Sequence, residues 1–496
     1  MDDLSADAAI IGLGPVGATL ANHLARQGLS VLVIEKDQAP HTIPRAVHLD
    51  DEALRCFQAC GLSDAVEAIC RINPGTLFVD RDGRVLVDWS RPSEIGPLGW
   101  HASYRFHQPD LEDVLRAGLE HFENATIRQG HEVTHLKQET GGVTLRFRSS
   151  ETGETTTAHA NYVIGCDGAR SFTRQFLEAG YEDLGFKEQW LVVDILLKHP
   201  RPDLGGHTLQ HCDPDYPATY VCGTGPRRRW EFRLAADTPL EKATEPETVW
   251  SYLSRWRLDS SDAEIERAAI YTFRSRIAKT WRLDRVLLAG DAAHQTPPFM
   301  GQGLCAGIRD VANLAWKLAR VHRGRSNPSL LDTYSSERIP HVRRYIELAV
   351  DMGRMINMTD MSRLIQAADD GKGDSRKLAA SIRPPLGPGL GPRGNGTRGH
   401  LMPQWRRADG SRSDAAMDGH PALYTLPEHE RAFRDAAGDR LLAADVRLVT
   451  DNAELFRNWL SDRSAIAALV RPDGYALDSV DSVDTLESLI ADSVFH

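Results

Sequence analysis

The sequence lacks the features that mark membrane proteins and nucleic-acid-binding proteins. No run approaches the roughly 18 uninterrupted apolar residues of a membrane span. The net charge of -11 comes with no basic stripe, which removes the usual electrostatic basis for binding nucleic acid. The acidic start, Met1 to Leu4, has neither the positive region nor the apolar region of a signal peptide. We therefore expect a cytoplasmic protein with no membrane or nucleic-acid partner.

Cysteine is scarce and scattered. The seven cysteines are odd in number, and no Cys-x-x-Cys occurs among positions 56, 60, 70, 166, 212, 222 and 305. This pattern excludes a disulfide framework. No Gly-x-Ser-x-Gly marks a serine nucleophile either. We predict no metal site, and we expect an organic cofactor to supply the chemistry.

The composition is that of an ordinary globular protein. Hydrophobic residues make up 41% of the chain and charged residues 26%. A length of 496 residues exceeds one typical core, so two or three domains are expected.

A glycine-rich motif lies near the start of the chain. An apolar strand ends in Gly12, Gly14 and Gly17 of a G-x-G-x-x-G pattern, with Pro15 and Val16 between them, and a helix follows. This layout places a pyrophosphate on a helix N-terminus. The next strand, residues 30–35, ends in Glu35, beside Lys36, and an acid about 20 residues after the motif suits ribose hydroxyls. The motif predicts a dinucleotide site but does not separate NAD from FAD.

Two later segments repeat the strand-then-acid pattern. Asp167 and Gly168 follow one apolar strand, and Gly290 and Asp291 follow another. After Asp291 comes a loop with two prolines and two glycines, and then a helix that starts near Leu304. Free N–H groups at that helix start could stabilise negative charge on a reduced flavin ring. The N-terminal motif and the Asp291 segment together favour an extended dinucleotide held at both ends, hence FAD over NAD.

These motifs occur in the order found in a known family. The chain resembles the single-component FAD-dependent aromatic hydroxylases, which have the para-hydroxybenzoate hydroxylase fold. It is most similar among them to the 3-(3-hydroxyphenyl)propionate hydroxylases. The resemblance also rests on residues 44–47, 105–112 and 297–303, and it is clearest over residues 6–350.

The resemblance implies a reaction and cofactors. NADH or NADPH, binding transiently, would reduce FAD, and O2 would then form a flavin C4a-hydroperoxide that hydroxylates a phenolic substrate. The alternative on the same fold is an FAD-dependent oxidoreductase that acts without inserting oxygen. A flavin-binding protein without turnover is the remaining alternative, and the intact loop from Pro297 to Leu304 argues against it.

The resemblance also implies roles for particular residues. Arg45 would lie near the flavin and help to position the nicotinamide cofactor, and Pro298 would lie beside the flavin carbon that reacts with oxygen. The residues expected to bind cofactor are Gly12, Gly14, Pro15, Val16, Gly17, Glu35, Lys36, Arg45, Gln108, Asp167, Gly168, Gly290, Asp291, Pro298, Gly301, Gly303 and Leu304.

The substrate site is less clearly marked. Residues 183–280 contain short apolar stretches that read as antiparallel strands, one face of which would roof a substrate pocket. The substrate candidates are His48, Tyr220, Arg229 and Trp230. The run 227–229 reads either as a solvated turn or as the source of an arginine that binds a substrate carboxylate.

His48 is a candidate catalytic base, alongside Arg45 and Pro298 as catalytic residues. A phenol reacts best as phenolate, and a histidine near its ordinary pKa suits proton transfer. The alternative is a structural hydrogen-bonding histidine. We expect His294 to support the loop after Asp291.

The predicted fold class is α/β: a Rossmann-like FAD-binding domain, an inserted antiparallel-sheet substrate domain and a C-terminal thioredoxin-like appendage. The FAD-binding domain takes residues 1–180 and, with helices, 281–382, and the substrate domain takes 181–280. A Pro/Gly-rich linker follows at 383–400, and the appendage spans 401–496. No cysteine follows Cys305, so the appendage would have no dithiol chemistry and could instead support a homodimer.

Overall fold

The glycine motif lies at the edge of a largely parallel sheet in the computed structural model, which describes residues 4–40, 42–213, 215–235, 237–356, 382–390 and 397–486. Five parallel strands form its centre, in the order β18-β11-β1-β2-β8. Residues 8–11 of β1 and 31–34 of β2 are buried, as is typical of parallel strands covered on both faces of a sheet. The eight strands are β1 (Leu4–Ile11), β2 (Val31–Glu35), β8 (Ala125–Gln129), β9 (His131–Glu139), β10 (Gly142–Ser149), β11 (Thr155–Gly165), β17 (Arg282–Leu283) and β18 (Val286–Leu288).

The second sheet is mainly antiparallel and also has eight strands. They are β5 (Gly75–Val79), β6 (Val85–Ser90), β12 (Tyr181–Leu197), β13 (Thr208–His211), β14 (Ala218–Cys222), β15 (Arg227–Arg233), β16 (Ala263–Ala278) and β19 (His294–Gln295). The predicted boundary at 181–280 was too narrow, because β5 pairs with β13 and β19 pairs with β16. Segments on both sides of the predicted insertion therefore complete this sheet.

The helices of the described residues cover the sheets. They are α1 (Pro15–Arg26), α2 (Asp51–Ala59), α3 (Ser63–Ala68), α4 (Gln108–Leu119), α5 (Phe172–Phe176), α6 (Leu240–Ala243), α7 (Pro246–Leu253), α8 (Gln302–His322), α9 (Asp332–Ile356), α10 (Pro427–Ala443) and α11 (Glu454–Ser461). Helix α1 packs against α4 and α8. No described helix is long and apolar enough to cross a membrane.

Two smaller sheets complete the fold. One joins β3 (His48–Asp50), β4 (Arg71–Ile72) and β7 (Ser103–Arg105). The other has the order β21-β20-β22-β23, in which β20 and β21 are parallel and the other pairs are antiparallel. Its strands are β20 (Ala422–Thr425), β21 (Arg447–Thr450), β22 (Ala467–Val470) and β23 (Ala476–Val480).

Buried polar contacts join the C-terminal sheet region to the rest of the chain. Arg55 of α2 donates to the Asp414 carboxylate at 2.5 and 2.9 Å, and Tyr475 donates its hydroxyl to Glu52 at 2.6 Å. Glu337 of α9 accepts from Arg471 at 2.8 Å. Of the predicted linker and appendage, residues 391–396 and 487–496 lie outside the described residues.

Candidate cofactor and substrate site

A cavity of about 1130 Å³ lies between the carboxyl ends of the parallel strands and one face of the second sheet. Ligands of open α/β sheets bind at this strand edge. The volume exceeds the roughly 300–1,000 Å³ of ordinary small-molecule pockets, so it suits a large cofactor together with a second molecule. Predicted residues that line it are Gly12, Gly14, Pro15, Glu35, Lys36, Arg45, Gln108, Asp167, Gly168, Arg229, Asp291, Pro298 and Gly303.

The three glycines of the N-terminal motif meet different constraints. Gly12 has φ +102°, and a Cβ there would lie 2.5 Å from the Cys166 carbonyl oxygen. A Cβ on Gly17 would lie 2.0 Å from the Gly12 carbonyl oxygen, so α1 packs closely on the turn. A Cβ on Gly14 would meet no atom within 4 Å. Gly14 therefore faces open space in the cavity, which is where a phosphate could approach the backbone.

Glu35, at the end of β2, holds the glycine loop in place through hydrogen bonds. One carboxylate oxygen accepts from the Leu13 N–H at 2.7 Å, and the other accepts from the Asp37 N–H at 2.9 Å. Each oxygen retains acceptor capacity toward the cavity. The geometry places this acid beside the open face of Gly14, as a ribose-binding acid requires.

Asp167 lies at the next strand end and hydrogen-bonds the start of α5, whose N-cap is Ser171. Its carboxylate accepts from the Ser171 hydroxyl at 2.5 Å and from the Thr173 N–H at 2.9 Å. Gly168 has φ +74°, and a Cβ there would meet open space. The Gly168 backbone therefore faces the cavity, while the Asp167 side chain shapes the turn.

Gln108 ties α4 to the loop that carries Arg45. Its Oε1 accepts from the N–H groups of Arg45 and Ala46, both at 2.8 Å, and its Nε2 donates to Glu112 at 2.8 Å. The Arg45 side chain is exposed and lines the cavity. Gln108 thus positions the loop and leaves the Arg45 guanidinium open to a ligand.

Asp310 holds the turn that presents Asp291. Its carboxylate accepts from the Gly290 N–H at 3.0 Å and from Arg338 at 2.9 Å, and it bonds His294 at 2.7 Å. His294 is buried and stacks on Trp281 with ring centroids 5.4 Å apart. The structure thus gives His294 the supporting role expected of it. Asp310 lies inside α8, and no sequence motif marked it.

Asp291 projects into the cavity. No hydrogen bond to its side chain occurs within the described part of the chain. Enclosure by the protein raises the pKa of the Asp291 carboxyl, and electrostatic interactions with His294 and Arg45 oppose that rise. A carboxylate held this way is available for ligand hydroxyls.

The loop after Asp291 ends in the start of α8. Gly301 has φ +63°, and the helix begins at Gln302, so the N–H groups of Gly303 and Leu304 have no partner within the helix. Pro298 and Gly303 line the cavity. The helix therefore offers N–H donors at the cavity wall, where they would stabilise negative charge.

Several predicted residues support the cavity wall from behind. Val16 packs under Gly290, Leu304 packs against the main core, and the Gly301 carbonyl oxygen bonds His48 at 3.1 Å. The predicted residues that do not line the cavity are Val16, Gly17, His48, Tyr220, Trp230, Gly290, Gly301 and Leu304.

The environment of His48 argues against its predicted role as the base. Its two ring nitrogens are bonded within the protein, Nδ1 to the Gly301 carbonyl oxygen and Nε2 to the Ser103 hydroxyl at 2.9 Å. Burial, reinforced by the charge of Arg105, lowers the pKa of His48 to about 3. His48 lines a separate small cavity of about 30 Å³, not the large one. The structure thus gives His48 a supporting role, in which its hydrogen bond to the Gly301 carbonyl oxygen fixes the loop before α8.

The predicted substrate residues on β15 divide between the two faces of the sheet. The run 227–229 forms the start of β15 and not a turn. Side chains alternate along a strand, so Arg229 faces the cavity while Trp230 faces the opposite side. Trp230 and Tyr220 pack in a core beneath α6 and α7, with ring centroids 5.0 Å apart. These two aromatic residues were therefore wrongly assigned to the substrate pocket.

Arg229 is already paired. Its guanidinium donates to Asp194 at 2.7 and 3.2 Å and to the carbonyl oxygens of Pro44 and Arg45 at 2.6 and 3.0 Å. The side chain is 4% exposed. Arg229 thus links the second sheet to the loop that carries Arg45. Because its guanidinium already has these partners, the predicted pairing of Arg229 with a substrate carboxylate is not favoured.

The letters His131 to His135 spell His-Glu-x-x-His, a pattern that binds zinc when it lies on a helix. Here they lie on β9, and His131 bonds the Gln129 carbonyl oxygen at 2.7 Å. Among the described residues, no group of three or more His, Cys, Asp or Glu side chains could hold a metal ion.

Comparisons with known proteins agree with this geometry. A family model described as "FAD binding domain" matches residues 5–349. The chain is 36% identical, over 98% of its length and 94% of the relative's, to a probable NADH-specific resorcinol 4-hydroxylase of Rhodococcus jostii (strain RHA1). It is 39% identical to a 3-(3-hydroxy-phenyl)propionate/3-hydroxycinnamic acid hydroxylase of Mycobacterium sp. (strain JLS) over 72% of the chain, and it spans 62% of that relative.

Solved structures share the fold. The flavin-dependent monooxygenase PieE, solved with FAD and substrate, superposes with a TM-score of 0.81 at 23% identity, covering 99% of this chain and 98% of that one. Aklavinone-11 hydroxylase, solved with FAD and aklavinone, gives 0.80 at 24% identity and covers 99% of each chain.

Proposed function

Because this chain belongs to the FAD-binding domain family, we propose that it is an FAD-dependent monooxygenase that hydroxylates a phenolic compound with NADH or NADPH and O2. The observation that carries the proposal is the similarity to a named aromatic hydroxylase over 98% of the chain. The second relative is also named as a hydroxylase, which favours oxygen insertion over the alternative without it.

The residues of the cavity fit FAD. Gly14 leaves open space for the pyrophosphate at the start of α1, and Glu35 lies beside it for the ribose. Asp291 offers an unpartnered carboxylate for ribityl hydroxyls. The free N–H group of Gly303 at the cavity wall would meet the ring, with that of Leu304 next to it. FAD, when bound, supplies electron transfer and oxygen chemistry that side chains lack.

The protein positions the reactants and shields them from water. Pro298 lies in the cavity wall near the start of α8, where it would limit access to the ring. The exposed Arg45 guanidinium would attract the phosphates of the nicotinamide cofactor. Excluding water strengthens the electrostatic contacts within the site.

A direct experiment tests this function. The purified protein is expected to carry about one non-covalent FAD per chain and to oxidise NADH or NADPH faster when a phenol is added. Under 18O2, the product should contain one labelled oxygen, with uncoupled peroxide measured in parallel. Recovery of FMN instead of FAD, or turnover with no label in any product from a panel of hydroxylated aromatics, would contradict the proposal.

The appendage over 401–496 is proposed to be a thioredoxin-like unit without redox cysteines. The strand order β21-β20-β22-β23 supports this proposal. Along the chain, α10 connects β20 to β21, and α11 connects β21 to β22. Its buried contacts with α2 and α9 favour a structural role. A homodimer and a cytoplasmic location stay predictions.

A further inference from the structure

One carboxylate has no assigned role in the cavity roof, by which we mean the face of β12, β15 and β16 that lines the cavity. Glu231 lies two residues after Arg229 on β15, so strand alternation turns both side chains toward the cavity. Glu231 is 9% exposed. No hydrogen bond to its carboxylate occurs in the described part of the chain, and the nearest cation, Arg229 Nη1, lies 4.0 Å from its Oε1. The carboxylate therefore opens into the cavity, where it can accept a hydrogen bond from a ligand.

The polar side chains around Glu231 form hydrogen bonds with one another. Asp194 on β12 accepts from both Arg229 and Arg267, the latter at 2.5 Å. Arg267 on β16 also donates to the Tyr271 hydroxyl at 2.9 Å. Thr219, opposite Glu231 on β14, exchanges hydrogen bonds with Gln210 at 2.8 and 3.0 Å. Arg229 therefore has a partner for every guanidinium nitrogen, whereas Arg267 and Arg105 each keep a buried Nε without a partner among the described residues. The carboxylate of Glu231 is the acceptor of this cluster that accepts no hydrogen bond from the part of the chain that the structure describes.

The charges around Glu231 suit proton transfer. Burial, with the charge of Asp194, raises the pKa of the Glu231 carboxyl, and Arg229, Arg267 and Arg105 oppose that rise. If a neutral hydroxyl gives its proton to Glu231, the net charge of this cluster stays the same. The three arginines can then stabilise the new oxyanion.

The other cations that line the cavity include Arg45, whose carbonyl oxygen accepts from Arg229 at 3.0 Å, so the Arg45 loop lies beside this cluster. Arg45 and Arg170 are exposed, and Arg276 lies 3.5 Å from Asp183. Arg274 lies five residues along β16 from Ala269, and Ala269 pairs with Val192, which in turn pairs with Glu231. Five residues of strand span about 17 Å. A substrate carboxylate placed beside Glu231 would meet like charge.

We propose that Glu231 binds a ring hydroxyl of the substrate and accepts its proton, so that the pocket selects an uncharged hydroxybenzene over an aromatic carboxylate. The hydroxyl O–H bond breaks, its electron pair stays on the ring oxygen, and a new O–H bond forms on Glu231. This inference rests on the proposed function and names its substrate class.

Ligand binding to the FAD-loaded protein without NADH or NADPH tests the selectivity. The probes are resorcinol, 3-(3-hydroxyphenyl)propionate and the neutral amide of that acid, which matches its size. We expect calorimetry to show resorcinol and the amide each binding at least tenfold more tightly than the acid. Tighter binding of the acid than of its amide would overturn the inference.

The variant Glu231→Gln tests the residue. Loss of a hydrogen bond to a charged group should weaken resorcinol binding roughly ten- to a hundredfold. The variant should also bring the ratio of the dissociation constants of the acid and the amide toward one, because the negative charge that repels the acid is gone. Loss of a positioned base should lower kcat about 10²–10⁴-fold near neutral pH, with partial recovery at higher pH. Glu264→Gln, an exposed change on β16, should keep wild-type values.

The outcomes separate this inference from the proposed function. Labelled oxygen in a product, combined with equal effects of Glu231→Gln on the acid and the amide, would refute the role of Glu231 and leave the hydroxylase proposal intact. Absence of labelled product with every phenol would refute the function itself. If Glu231→Gln fails to fold, the amide-to-acid ratio of the wild-type protein still decides the selectivity.

Discussion

Gly14 and Gly17 lie three residues apart, yet alanine at each should have a different effect. A Cβ on Gly17 would lie 2.0 Å from the Gly12 carbonyl oxygen and 3.2 Å from the Cys166 Cβ. A Cβ on Gly14 would meet no protein atom within 4 Å. We therefore predict that Gly17→Ala damages the fold and that Gly14→Ala damages cofactor binding alone.

The magnitudes follow from these distances. Overpacking against a fixed neighbour costs about 1–3 kcal/mol, and the clash at Gly17 is with backbone, which cannot rotate away. Alanine regains about 1 kcal/mol of helix propensity, which does not offset a clash this severe. At Gly14 the backbone angles of φ -70° and ψ 179° are open to alanine, so unfolding should change by less than about 0.5 kcal/mol. FAD affinity there should fall roughly ten- to a hundredfold, since phosphate contacts of about 1.5–3 kcal/mol are lost.

Two assays separate the effects. Urea unfolding of the FAD-free proteins measures stability, and fluorescence titration with FAD measures affinity. Gly141→Ala, at an exposed glycine whose Cβ would also meet no atom within 4 Å, is the matched control. Wild-type FAD affinity in Gly14→Ala would refute the assignment of the pyrophosphate to this turn. Wild-type stability in Gly17→Ala would refute the packing argument.

Three further predictions concern charged and buried side chains. Asp291→Ala should lose FAD affinity about ten- to a hundredfold, and equilibrium dialysis showing unchanged affinity would remove Asp291 from the site. For His48→Asn we expect the wild-type pH profile of kcat between about 6 and 9, because burial lowers the pKa of His48 to about 3, and a profile shifted in that range would restore it as a base. Burial raises the pKa of Glu337, but Arg471 and Lys317 outweigh it and lower the pKa to about 2. Its stabilisation is therefore present above its ordinary pKa near 4.5 and is lost as pH falls toward 2. Urea unfolding at pH 6 should show Glu337→Gln less stable than wild type by about 3–5 kcal/mol, and the stability of this variant should change less than that of wild type between pH 6 and 3. The half-exposed Glu347→Gln should behave as wild type.

Local patterns in the chain determined the first half of the site. The apolar strands β1 and β2, the glycines between them and Glu35 are consecutive in sequence, and a strand–turn–helix unit places such residues in fixed relation. The Asp291 turn and the start of α8 were predictable for the same reason. Strand alternation along β15 already places Trp230 and Glu231 on opposite faces of the sheet, and the fold decides that the Glu231 face meets the cavity.

Tertiary structure alone decided which polar groups are free. Asp194 accepts hydrogen bonds from both Arg229 and Arg267, which lie on two different strands far away in sequence, and this leaves the Glu231 carboxylate with an ion-pair contact to Arg229 but no hydrogen bond among the described residues. The hairpin of β5 and β6 likewise joined the second sheet through a strand more than 120 residues away, as the register Thr208 to Thr76 shows. The sequence states which side chains carry a charge, but the partner of each charged side chain depends on which distant strands pair. For that reason the cofactor end of the cavity followed from sequence, whereas the chemistry of its roof followed only from the fold.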